Sequence, residues 1–120
     1  MSDDGQALLE RMREFRGYVL PAHEVLAERD PEFLDGYDRM FRAANAKDSP
    51  LPADVRELIV MALDISAGVS PEAVRAHAAK AIAHGATEAQ VVAAIELAAV
   101  VYASKMLGSL ARVFSDAGAA

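Results

Sequence analysis

The 120-residue chain has no cysteine, which excludes disulfides, thiolate metal sites and thiol redox chemistry. It has no tryptophan and few aromatic residues, 6% in all, and no segment reads as a strand. Positive charge is also scarce: 12 Lys and Arg stand against 18 Asp and Glu, a formal net charge of −6. With no Lys/Arg stripe to displace phosphate counterions, the chain is not expected to bind nucleic acid. The opening MSDDGQALLE is acidic where a secretion signal would be basic and then apolar. The longest apolar stretch, Val91 to Ala103, is about seven residues short of a bilayer span and is interrupted by Glu96. The expectation is a soluble, cytoplasmic protein without a membrane partner.

What the chain does have is alanine. Hydrophobic residues make up 53% of it, many of them alanines that pack closely but bury little area each. The length suits one domain, 1–120, and the small side chains suggest that partner copies complete its core.

Start and stop signals divide the chain into about five to six helices, an all-α class. The first runs from about Asp4 to Gly17 with Leu8, Leu9, Met12 and Phe15 on one side. Pro21 opens a short turn holding His23, Val25 and Leu26. Asp30 and Pro31 then supply an N-cap and first residue for a helix with Phe33, Leu34, Tyr37, Met40 and Phe41 on one stripe. These N-terminal helices cover 4–44. The polar connector ANAKDSPLP is the clearest internal boundary but is too short for a domain linker. Pro52 starts a helix that stops at Gly68, and Ser70 with Pro71 starts the next, ending at Gly85. Thr87 and Gln90 form a capping-box pattern before a long helix from Glu88. A bend is expected near Gly108, and a frayed SDAGAA tail after it.

Polar residues on apolar faces mark the candidate site. Val74, His77, Ala78, Ala81 and Ile82 have the spacing of a core-facing stripe, which turns His77 inward. Glu57 shares its side with Val60 and Met61, while Glu96 stands alone among Val92, Ala93, Leu97 and Val100. An ionised carboxylate in such surroundings is costly unless paired. Glu57 has a surface alternative, pairing with Arg56 or Arg75, and Asp64 near its helix end is expected to be solvated. His23 and His84 read as surface residues, and Phe33, Tyr37, Phe41 and Tyr102 as core. A histidine and a carboxylate buried together on adjacent helices can handle a proton near neutral pH, as general acid–base catalysis requires. His77 and His84 are seven apart, about 10 Å along the axis, too far to share an ion. No metal and no cofactor is expected.

The stretch LPADVRELIVMALDISAGVSPEAVRAHAAKAIAHGATEAQVVAAI resembles the carboxymuconolactone decarboxylase superfamily, which includes the alkylhydroperoxidase D-like proteins. The matching elements are LPADVRELI, then HAAKAIAHGAT, then an apolar helix. They cover about 51–108, with weaker similarity at DPEFLDGYDRMF. The resemblance implies an all-helical, alkylhydroperoxidase D-like fold assembled as a trimer or hexamer. In the peroxidase branch a Cys-x-x-Cys pair precedes the histidine, and a glutamate on the preceding helix completes a proton relay. By that resemblance the glutamate falls on Glu57, the histidine on His77, and the cysteine positions on Ser70 and Ala73.

Neither serine nor alanine can act as a thiolate or a resolving sulfur. The resemblance therefore implies decarboxylase-like chemistry on a small lactone or carboxylated metabolite, not a disulfide-based peroxidase. His77 would be the general acid–base and Glu57 its proton partner. Ser70, at a helix N-terminus, and His84 are the expected substrate contacts. The alternative is a non-catalytic oligomeric binding or accessory protein in which the same pair only fixes helix packing.

Overall fold

The computed structural model describes residues 1–114, and among these there are six helices and no strand. Helix α1 spans Asp3–Arg16, α2 Pro21–Arg29, α3 Pro31–Ala44, α4 Ala53–Ala67, α5 Pro71–Ala83 and α6 Glu88–Phe114. The side chains of Ser2, Asp30 and Ser70 accept the amide hydrogens of Gly5, Phe33 and Ala73, capping α1, α3 and α5. Thr87 and Gln90 bond each other's backbone at 2.9 and 3.1 Å, the expected capping box. Gly68 closes α4 at φ 72°, a left-handed conformation that strains any L side chain.

Two helices are longer than the sequence suggested. Pro21 opens a nine-residue helix, not a short turn. Helix α6 runs 27 residues straight through Gly108 without a break, since one interior glycine costs only about 1 kcal/mol. The SDAGAA tail lies outside the described residues.

The chain groups into two compact units, Met1–Ser49 and from Pro50 onward, with the boundary in the proline-flanked connector. In the first unit α1, α2 and α3 pack around Leu8, Leu9, Met12, Ala27 and Leu34. Gly5 lets α1 approach α2 closely, because a Cβ there would run into the Ala27 carbonyl oxygen. The buried residues of α3 are Leu34 and Asp38, one turn apart, while Phe33 and Tyr37 are exposed. The stripe read from aromatic spacing is thus rotated, because a buried ion pair takes the place assigned to rings. Arg16 donates to Asp38 Oδ1 at 3.3 Å, with both side chains at most 1% exposed. The Arg16 guanidinium lies 3.7 Å from the Phe41 ring centroid and 5.0 Å from that of Tyr37. Arg42 Nε approaches the other Asp38 oxygen at 3.0 Å, too bent for a hydrogen bond.

His23 is buried, not at the surface as its polarity suggested. Its Nδ1 accepts the Leu20 amide at 3.0 Å, doing for α2 what a glutamate does in a capping box. Burial pushes its affinity for a proton below the usual histidine range; the Arg16 charge adds to this and Asp38 opposes it. The unfolded chain therefore binds the His23 proton more readily than the folded one. The associated stability is fully present above about pH 6.5 and is lost as the pH falls from there through the folded value. We expect urea unfolding to show this loss with a slope of at most about 1.4 kcal/mol per pH unit. His23→Gln, whose amide oxygen can accept the same Leu20 N–H, should flatten it.

In the second unit α4 packs on both α5 and α6. Its Glu57, Met61 and Asp64 share one side, and Val55, Ile59, Ala62 and Ser66 the other. On α5 the buried residues are Ala73, His77 and Ala81; Val74 and Ala78 are half-buried and Ile82 is exposed. His77 is inward as expected, but the stripe is centred one residue earlier. Small alanines face α4 there, letting the two helices approach closely.

Helix α6 buries only Ala98. Leu97, Val101, Met106 and Leu110 are all more than half exposed, and so is Tyr102, which had read as core. Glu96 is exposed too, so it carries no burial cost. By length and composition this helix is apolar enough to cross a membrane, although the Val91–Ala103 run alone had seemed too short. A helix covered by other protein passes the same test.

Candidate functional site

His77 sits two turns into α5, on the line of buried residues that faces α4. Its Nδ1 lies 2.6 Å from Glu57 Oε2 and its Nε2 lies 3.6 Å from Asp64 Oδ2. Glu57 and Asp64 are seven residues apart, about 20° around α4 and about 10 Å along it. Their carboxylates therefore reach the ring from its two ends. His77 is 4% exposed, whereas the side chains of Glu57 and Asp64 are 13% and 20% exposed. The ring is sealed and the carboxylates reach water.

An ionised carboxylate can only accept, so with Glu57 charged the hydrogen bond runs from Nδ1–H to Oε2. That fixes the ring's orientation and turns Nε2 toward Asp64. A positive charge on the ring would be matched at both nitrogens, and without such partners its burial would be costly. The two carboxylates face opposite nitrogens and do not converge with the ring on one ion. Among the described residues no three His, Cys, Asp or Glu side chains form a metal-holding group.

Glu57 and His77, the pair singled out in the sequence, are thus in contact. The surface alternatives for Glu57 are not adopted: Arg56 donates to the Leu51 carbonyl at 2.7 Å, and Arg75 is exposed. Ser70 and His84 occupy the two ends of α5, each about 10 Å from His77 along the axis. Ser70 is exposed, its hydroxyl engaged by the Ala73 amide at 3.3 Å. His84 is exposed at the C-cap. Asp64 is the member that sequence reading missed. Its position near a helix end suggested solvation, yet its seven-residue spacing from Glu57 already placed it on the same side of α4.

Two apolar grooves lie elsewhere in this unit. One of about 400 Å³ runs between α4 and α6 and is lined by Val55, Ile59, Ala62, Leu97 and Val101 among others. A second of about 420 Å³ includes Ile65, Ser66, Ile95 and Tyr102. The α4 residues of the first groove lie away from its Glu57–Asp64 side.

No curated protein and no solved structure matches the chain. The profile of the carboxymuconolactone decarboxylase family matches residues 31–114, from the start of α3 to the end of α6. That span takes in Glu57, Asp64 and His77, and it reaches further toward the N-terminus than the 51–108 core of the sequence resemblance. An all-helical, cysteine-free chain matched over most of its length, the protein belongs to the carboxymuconolactone decarboxylase family.

Proposed function

We propose that the protein is a cofactor-free lyase or isomerase of the decarboxylase type, acting on a small lactone or carboxylated metabolite. The observation that supports this reading is the 2.6 Å contact between Glu57 and a histidine that is 4% exposed. When a carboxylate leaves as carbon dioxide, the bonding electron pair stays on the carbon left behind, which then needs a proton. His77 supplies it from Nε2 while Glu57 holds Nδ1, and a later proton from solvent restores the ring. Ser70 and His84 are 14 residues apart, about 21 Å along α5, so one small substrate meets at most one of them. The reading keeps Ser70, at the positive end of the α5 dipole.

The working form in this proposal is a cytoplasmic trimer or hexamer in which other copies cover α6. Its exposed Leu97 and Val101, at 69% and 67%, are more apolar surface than a soluble single chain normally leaves open. Leu97→Glu combined with Val101→Glu should convert the assembly to smaller species in light scattering coupled to size exclusion. A single-chain mass for the unsubstituted protein would end this part of the reading.

A second reading, a non-catalytic accessory protein, is favoured by the same sealed ring, which a substrate must reach past two carboxylates. The experiment that separates the two is a screen of purified protein against lactone and keto acids for carbon dioxide release. Turnover supports the lyase. No turnover across the screen, with an intact oligomer, favours the accessory role.

A further inference from the structure

We propose that Asp64 is the second proton partner of His77, passing protons between solvent and the ring's Nε2 through its Oδ2. This rests on the reading of His77 as a proton-handling ring and adds to it a residue and a route to solvent. The Nε2–Oδ2 separation of 3.6 Å is too short to admit a water between, because two hydrogen bonds of about 2.8 Å through one oxygen need a wider gap. The approach is therefore direct. A small rotation of the Asp64 carboxylate, closing roughly half an ångström, makes it a hydrogen bond.

The transfer balances without another reactant. The Nε2–H bond breaks and its electron pair stays on nitrogen as a lone pair. A new O–H bond forms at Oδ2, so imidazolium and carboxylate become imidazole and carboxylic acid. The Nδ1 proton remains on the Glu57 hydrogen bond throughout. The reverse transfer restores the ring, and exposure sets which carboxylate serves: Asp64 is the more open of the two, 20% against 13%, and the ring between them is closed off. Asp64 is the port through which the buried ring exchanges protons with solvent when no substrate is bound. Helix packing alone would be served by the Glu57 bond, and a second carboxylate at Nε2 adds desolvation without adding contact area. Around the ring, α4 presents Glu57 and Asp64; on α5, Lys80 is half-buried and Arg75 exposed; on α6, Glu96 is exposed.

The test is nitrogen NMR of the His77 ring in the full-length protein, labelled at histidine and titrated with acid. Asp64→Asn keeps the shape and removes the charge. It should move the protonation equilibrium of His77 by at least about tenfold toward the neutral ring. Asp64→Glu should restore it to within about threefold, and Asp64→Ser serves if the asparagine variant does not fold. If Asp64→Asn lowers stability or does nothing while the titration stays within about twofold of the unsubstituted protein, the port assignment is wrong. Glu57→Gln separates the two claims. A shift with Glu57→Gln but not with Asp64→Asn overturns Asp64 alone, whereas no shift with either overturns the proton-handling ring itself.

Discussion

His77→Ala abolishes turnover, by about 10²- to 10⁴-fold, if the ring transfers the proton. The substitution removes the proposed proton donor and leaves the Glu57 and Asp64 carboxylates without the ring that both face. Glu57 loses its hydrogen-bond partner and a buried ring is deleted, so some stability is lost as well. Glu57→Gln provides the control for that loss. Its amide oxygen can still accept from Nδ1–H, which preserves the ring's orientation, but it cannot share the proton. We expect a smaller fall in kcat, about tenfold to a hundredfold, with little change in unfolding midpoint. Kinetics on whichever acid the substrate screen identifies, with urea unfolding of each variant alongside, checks both. Loss of stability in both variants with turnover unchanged would assign the pair to helix packing and overturn its role in the reaction.

Asp38→Ala gives the largest loss of stability, about 3–5 kcal/mol. Asp38 is fully buried and is the carboxylate facing Arg16, itself buried against Phe41 and Tyr37. Removing it leaves a guanidinium without counter-charge in an apolar setting, where Arg16 Nε already has no hydrogen-bond acceptor. A domain of ordinary stability, about 5–15 kcal/mol, has little margin for such a loss. Chemical denaturation of the full chain should show the first transition moving to much lower urea. Asp38→Asn, which keeps one acceptor, should fall between. Arg16→Met should cost less than Asp38→Ala, because the carboxylate it leaves behind still faces Arg42 at 3.0 Å.

The two positions were unequally visible in the sequence. His77 and Glu57 interrupt apolar helical stripes, and an interruption of period can be seen without coordinates. Asp64 and Glu57 are seven residues apart, so their shared face was legible too. What no pattern showed is that the His77 ring lies across that face, reaching both. Arg16 and Asp38 had no signal of this kind. Each follows a buried residue by four, Met12 and Leu34, but a charged residue at the end of a stripe is normally read as the start of the solvated side. Only the approach of α1 and α3 makes each the other's partner.

The sequence by itself determined most of the helices and their ends, α2 and the far half of α6 excepted, because caps, prolines and left-handed glycines act within a few residues. It also determined the chemistry that is excluded, since a chain without cysteine has no thiolate. Tertiary structure decided which polar residues are buried and what they face. His23 went inward, Glu96 and the aromatics Phe33, Tyr37 and Tyr102 stayed outward, and Asp64 turned to a histidine. The reason is that helical periodicity fixes the angle of a side chain about its own axis, whereas burial and pairing depend on which other helix occupies that angle.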